Sequence, residues 1–421
     1  MNLTEKDKAY IWHPLTQHKT ARGPIAIKSA KGAVMYGADG KEYIDGIASW
    51  YTAMYGHGNE YIVEAMHTQM KELDFVMFSG FTHQPAVALA ERLINILPDN
   101  QKKVFFNDNG STAVEAAIKL ALQYHHNDHK KADTLIAFEN GFHGDTFGAM
   151  SASGLSSYNG PFEDFLLKVK RVPTPQEDTI DQTLAMLEEI IAANDCAAFI
   201  FEPLAQGAAG MKFHSAVGLD ALIKTCREHN ILCIADEIMT GFGKTGTLFA
   251  SDQLAYKPDI ICLSKALTAG MFPLSITSCS QEIFDRFLSD EVHKGFFHAH
   301  TFSAHPVGCA AAIAGIDLLE SKEMRLSREY IHKSHTAFAK ILASHPKAIN
   351  VRVKGVILAF ELDVTMERYG DLRDQLYEFF IQNGVALRPL GNTIYVLPPY
   401  TISGEQLQKI YKVILDALKQ F

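Results

Sequence analysis

Lys265 ends one apolar run, DIICLS followed by K, and Asp236 ends another, ILCIA followed by D. An amine and a carboxylate at the carboxyl ends of two buried strands are the pair that pyridoxal phosphate chemistry needs. The amine condenses with the cofactor aldehyde, and the carboxylate keeps a proton on the pyridine nitrogen so that the ring accepts electrons. The segment after the lysine, ALTAGMFPLS, holds no other charge. The amine is therefore expected to be partly enclosed, with the depressed pKa that a nucleophilic lysine needs. Taken singly, a lysine is a solvated surface charge, and an aspartate after a strand caps the next turn. Their placement on neighbouring strand tips favours the chemical reading. Glu237 reads as a structural neighbour.

Further candidates cluster after other strands. Asn109-Gly110-Ser111-Thr112 follows KVFFN and opens AVEAAIKLALQY. A glycine and hydroxyls at a helix start can cradle a phosphate on free amides aided by the helix dipole; plain N-capping by Ser111 or Thr112 is the alternative. NGFHGDT (140–146) follows TLIAFE. There Phe142 and His143 can stack on a planar ring and Asp145 can meet a ligand amine; the alternative is a glycine turn with packed aromatics. Trp50-Tyr51 can wall a pocket or fill the core. Arg388 can clamp a carboxylate bidentately or make a surface salt bridge.

Two patterns are traps. GFGKTG (241–246) matches the GxGxxG fingerprint, but DEIMT separates it from its strand and the acid at the end of the following strand is missing. It also fails as a P-loop, since Ile238 stands where glycine is needed. HHNDH (125–129) fits no zinc spacing and reads as a solvated helix end.

The elements that must hold these residues are legible as seven short apolar runs: 103–107, 134–139, 167–172, 197–202, 231–236, 259–264 and 274–279. Most are too short for helices and read as strands buried on both faces. Helical patterns at 111–124, 181–193 and 216–228 alternate with them, which argues for an α/β fold around a mainly parallel sheet. Such sheets bind ligands beyond the carboxyl ends of their strands, where Asp236 and Lys265 lie. Later segments read as helices at 307–319 and 325–342, a strand at 356–362, a helix near 372–383, a strand near 394–397 and a final helix from Gly404, together an α+β region. Asp39-Gly40 signals a hairpin turn. The expected division is an N-terminal segment 1–55 packing with the small domain, a large cofactor-binding domain 56–315 and a small domain 316–421.

Bulk properties agree. The chain has 421 residues, 47% of them hydrophobic, and a formal charge of −9. It is long enough for two or three units of ~150 residues. No long basic run favours nucleic acid or an anionic membrane, and no apolar run is long enough to span a bilayer. The N-terminus lacks the apolar core of a signal peptide. The six cysteines form no CxxC pair, which suits reduced thiols in the cytoplasm.

Across nearly the whole chain, the order of phosphate turn, ring turn, ADEIMTGFGKTG and LSKALTAG resembles the class III pyridoxal-phosphate aminotransferases of fold type I. IWHP, HGDTFGAMS and the late LRPLGNTIYVLPPY resemble the biotin-biosynthetic branch of that class more than those acting on ornithine or 4-aminobutyrate. The resemblance implies a homodimer of two-domain subunits acting on 8-amino-7-oxononanoate, with S-adenosylmethionine or lysine as amino donor. It gives Lys265 the cofactor bond and the proton transfer, and gives Asp236 the pyridine nitrogen. Gly110 and Ser111 take the phosphate, with Phe142 and His143 beside the ring. His300 and Thr301 reach the neighbouring subunit's cofactor. Trp50, Phe142, Asp145, Ala299, Arg388 and Leu15 line the substrate pocket. Four residues depart from the usual pattern. Leu15 and Phe142 replace tyrosines, Lys244 an arginine, and Ala269 the first glycine of KALTGG.

Overall fold

The computed structural model describes residues 2–156, 159–366, 368 and 370–421. Its centre is a seven-stranded sheet made of β1 (Gln101–Asn107), β2 (Thr134–Phe138), β3 (Val169–Val172), β4 (Cys196–Phe201), β5 (Leu232–Asp236), β6 (Ile260–Leu263) and β7 (Ser275–Ser280). Each coincides with one of the seven apolar runs. The order across the sheet is β1-β7-β6-β5-β4-β2-β3. β7 runs antiparallel to both its neighbours, and the other pairings are parallel.

The strands β2, β4, β5 and β6 are apolar and buried because both faces of the sheet are covered there, whereas β1 and β3 at the edges carry exposed lysines. Ile136, Phe138, Phe199 and Phe201 join one apolar cluster, while the alternating Leu135, Ala137, Ala198 and Ile200 join the other. This is the period of two expected of a strand. The helix Gly110–Asn127 lays Ala113, Val114, Ala117 and Ile118 on the second face. The helix Ala216–Glu228 lays Leu219, Leu222 and Ile223 on the first. The result is a helix–sheet–helix sandwich.

Toward the C-terminus, Ala348–Lys354, Ile357–Leu362 and Thr393–Val396 form an antiparallel sheet. The helices Lys322–Ala343, Asp371–Gln382 and Gly404–Gln420 accompany it. Near the N-terminus, Val34–Gly37 and Glu42–Asp45 pair as the expected hairpin, with Gly40 at φ +83° in its turn. Val385–Ala386 adds to Glu42–Asp45 in parallel, which sets the chain before Trp50 beside the chain before Arg388. One expectation fails at the end of the helix Gly110–Asn127. His125 is not solvated; its ring is buried, with Nε2 3.0 Å from the Ala197 carbonyl. Among the described residues, no helix is long and apolar enough to cross a membrane.

Candidate active site

Three ionisable side chains, Glu202, Asp236 and Lys265, gather where β4, β5 and β6 end. Ala235 pairs with Phe201, so Asp236 and Glu202 leave their strands side by side. Asp236 pairs with Cys262, and Lys265 follows three residues later at φ +47°. Asp236 is buried. Its Oδ1 accepts the Ile238 N–H at 3.1 Å, and its Oδ2 lies 2.7 Å from His143 Nδ1. The turn-capping reading of Asp236 holds through Oδ1, while Oδ2 is held by the His143 ring. His143 Nε2 is buried without a protein partner among the described residues.

Glu202 is not singled out by the sequence. It accepts the Phe142 N–H at 3.0 Å and the Gly207 N–H at 2.9 Å. Burial, with Asp236 nearby, pushes its carboxyl up to about 7. The available signal is its position, since Glu202 ends its strand as Asp236 ends the next. Burial also lowers the Lys265 amine, against the opposing pull of Asp236 and Glu202. A buried ammonium loses hydration, so the neutral, nucleophilic form gains ground.

Two loops close on this trio. At the start of the helix Gly110–Asn127, Asn109 is the cap, with its side chain accepting the Thr112 N–H and the Thr112 hydroxyl returning to Asn109. Ser111 is thus left out of the cap, and the Gly110 and Ser111 amides have no helical partner. The Ser111 hydroxyl instead accepts the Asp145 N–H at 3.4 Å. Gly144 sits against Ser111 at φ +133°, where an added Cβ would lie 2.2 Å from the hydroxyl. Phe142 keeps 42% of its surface exposed beside the buried His143, and Asp145 is exposed.

The wall opposite is aromatic. Lys265 Nζ lies 5.4 Å from the centre of the Tyr51 ring. The Tyr51 hydroxyl donates to Tyr395 at 3.1 Å. Burial raises the Tyr51 phenol well above its ordinary value, so it stays protonated. The Arg388 guanidinium stacks 4.9 Å from the centre of the Trp50 ring. Tyr395 is not singled out by the sequence either, although it lies in the quoted string IYVLPPY. The turn carrying Trp50 and Tyr51 is unusual. Ala48, Ser49, Trp50 and Tyr51 all have positive φ, between +45° and +69°, at ~1–2 kcal/mol per residue for L-amino acids.

The remaining candidates lie further out. His300 is half-buried, 3.8 Å from Asp108 of the same chain, and Ala299 and Thr301 are exposed. Leu15 is exposed at φ +50°, and the contacts that gather the cluster do not include it. Ala269 takes φ +54° directly after the turn that starts at Lys265, a conformation that a glycine adopts without strain. The GFGKTG loop faces inward. Lys244 is fully buried and donates to the Gly241 carbonyl at 2.9 Å, whereas a P-loop lysine faces a phosphate. Glu237 accepts the Ala250 and Ser251 amides and the Thr240 hydroxyl, a structural part as expected.

Residues 16–418 match the family model described as aminotransferase class-III. The chain belongs to the class III aminotransferases. Enzymes of this class work with pyridoxal phosphate. The chain is similar to the adenosylmethionine-8-amino-7-oxononanoate aminotransferase of Synechococcus elongatus, at 43% identity over 98% of this chain and 99% of that protein. The Helicobacter pylori protein of the same name is 33% identical over 100% and 98%. Among solved structures, the Methanocaldococcus jannaschii enzyme of that name superposes with a TM-score of 0.94 at 29% identity, covering 99% of this chain and 98% of that one. An omega transaminase from Pseudomonas jessenii in complex with PMP gives 0.92 at 28% identity, over 100% and 98%. The class III, fold type I expectation is borne out.

Proposed function

We propose that this aminotransferase moves an amino group from S-adenosylmethionine to 8-amino-7-oxononanoate, giving 7,8-diaminononanoate for biotin biosynthesis. The substrate assignment is supported by the shared name of full-length relatives up to 43% identical. The observation that carries the chemistry is the Lys265 amine of lowered pKa beside the buried Asp236–His143 pair.

The residues fit pyridoxal phosphate. Asp236 is a buried carboxylate that would hold the pyridine nitrogen, and His143 fixes its orientation. The amides of Gly110 and Ser111, which have no partner within their helix, would hold the phosphate together with the Ser111 hydroxyl. Phe142, half-exposed, would cover one face of the ring. When bound, the cofactor supplies an electron sink and stores the amino group between the two half-reactions.

The chain's own residues do the rest. Lys265 is the general base and acid: its neutral Nζ takes a proton from the substrate carbon and returns it. Arg388 binds a substrate carboxylate, its plane held against Trp50. Asp145, Ala299, Phe142 and Leu15 complete the pocket. Tyr51 covers Lys265 and limits water there. In this reading the working unit is a homodimer in which His300 and Thr301 reach the neighbouring cofactor's phosphate, supported by the exposure of Ala299, Thr301 and Phe302. Residues 1–55 pack with the small domain 316–421 around the large domain 56–315; the parallel pairing of Val385–Ala386 with Glu42–Asp45 supports this. The enzyme works in the cytoplasm, as its six free cysteines suit.

The deciding experiment is turnover of 8-amino-7-oxononanoate with S-adenosylmethionine or lysine, read as diaminononanoate by mass spectrometry. Product with S-adenosylmethionine supports the reading. Product with lysine alone moves the donor assignment to lysine, the donor that the departures at Leu15 and Phe142 leave open. Activity only on other ω-amines overturns the substrate.

A further inference from the structure

We propose that Asp45 and His57, which touch neither the cofactor residues nor Arg388, are positioning residues for the substrate pocket. They act through Ser49, by clamping the left-handed turn that carries Trp50 and Tyr51. The proposal rests on the reading of Arg388 as the carboxylate clamp only for its kinetic arm.

The turn Ala48–Tyr51 closes as a left-handed helical turn, with the Tyr51 N–H donating to Ile47 O and the Thr52 N–H to Ala48 O, each at 2.9 Å. Its four consecutive non-glycine residues at positive φ persist only if the surroundings over-determine them. Its side chains are pinned from one point. Asp45 ends the strand Glu42–Asp45 and is 1% exposed. Its Oδ1 accepts the Ile47 N–H at 3.2 Å. Its Oδ2 accepts the Ser49 hydroxyl at 2.8 Å and lies 2.8 Å from His57 Nε2. The Ser49 hydroxyl is itself 3.3 Å from His57 Nε2, so the three side chains form a closed triangle.

Both ends of the triangle are anchored. His57 exchanges two backbone hydrogen bonds with Gly32, at 2.8 and 2.9 Å. On the far side, Thr52 Oγ1 donates to the Ser49 carbonyl at 2.8 Å. A buried carboxylate with three donors is a rigid post. The next two residues after Ser49 are the ring against Arg388 and the ring over Lys265. Loss of the post frees the turn to relax toward right-handed geometry, carrying Trp50 off Arg388.

The chain has two tryptophans, and Trp12 is 89% exposed. In a Trp12→Phe background, Trp50 is the only tryptophan reporter. Asp45→Asn and His57→Ala are each compared with His57→Gln, which keeps a side-chain donor within reach of Asp45. We expect Asp45→Asn and His57→Ala to red-shift Trp50 emission and increase its quenching by acrylamide. KM for the carboxylate substrate should rise on the order of tenfold, with kcat falling less. His57→Gln should restore both readouts. Unchanged Trp50 emission in Asp45→Asn and His57→Ala overturns the proposal. So does a parallel fall of kcat and helix content that His57→Gln fails to rescue. The fluorescence arm needs no substrate, so it reads the clamp even if the acceptor is another ω-keto compound.

Discussion

His143 Nδ1 and Asp236 Oδ2 lie 2.7 Å apart, both side chains buried. This bond holds the carboxylate in one orientation, leaving His143 as a support behind it. Asp236→Asn keeps the shape and removes the charge, so kcat should fall by ~10²–10⁴-fold. His143→Ala leaves the charge and removes its orienting donor, so its loss should be smaller. Steady-state kinetics with saturating cofactor orders the two; an equal loss would mean that His143 does more than orient.

Lys265→Ala should leave a folded protein that binds the cofactor but loses turnover by a factor of ~10⁴ or more, since in the proposed reading one amine is both nucleophile and proton carrier. The readout beside activity is borohydride treatment followed by mass analysis. The parent chain should fix the cofactor covalently and the variant should not.

Arg388→Lys is not a conservative change, because a point charge cannot hold a planar, bidentate grip or stack equally on Trp50. KM for the carboxylate substrate should rise on the order of tenfold, from a loss of about 1–2 kcal/mol, with kcat little affected. A titration of initial rate against substrate checks it.

How far the sequence exposes this site depends on how each residue is held. The strands β2, β4, β5 and β6 are legible because burial on both faces makes each a nearly continuous apolar run, while β1, β3 and β7 carry polar residues and show mainly in their short β-rich stretches. Asp236 and Lys265 follow from ending two of the apolar runs. Glu202 ends a third, yet a lone acid at a strand tip has no distinguishing neighbour until register sets it beside Asp236. Tyr395 meets Tyr51 across 344 residues, a contact with no local signature. The helix Glu60–Glu72 buries only Ile62 fully, so its apolar stripe is faint, and Val385–Ala386 is too short to carry a pattern. The left-handed turn at Ala48–Tyr51 contains no glycine, so the usual marker of positive φ is missing there.

Glu202 should give stability a downward slope with pH. Its folded pKa, about 7, lies above its ordinary 4.5. Below pH 4.5 both folded and unfolded states hold the proton. Between 4.5 and 7 only the folded state does, so stability falls as pH rises. Glu202→Gln keeps one oxygen acceptor and removes the titration. Its urea midpoint, relative to the parent at fixed protein concentration, should therefore rise from pH 5 to pH 8. A difference that stays flat would place the Glu202 proton elsewhere.

Lys244 should act in the opposite sense and in a higher window. Its amine is fully buried and donates to the Gly241 carbonyl, with the Glu237 carboxylate near enough only to oppose the lowering of its pKa. Burial, with Lys265 nearby, lowers its pKa to about 7 from 10.5. Below pH 7 both states are protonated, and the folded chain bears the full penalty of a poorly solvated charge. From pH 7 to about 10.5 the folded state has released its proton while the unfolded state keeps it, so stability rises with pH. A tenfold difference in proton affinity between the two states is worth about 1.4 kcal/mol, so the rise is on the order of a few kcal/mol. Lys244→Met fills similar volume without a charge and should flatten that rise, gaining most over the parent at pH 6 and least at pH 10. Lys244→Arg, the residue usual in the family, stays charged throughout and should lose the rise without the gain at low pH. Urea midpoints of the three proteins at pH 6, 8 and 10 separate these outcomes. A parent whose stability does not rise above pH 7 would mean that Lys244 stays protonated in the folded chain.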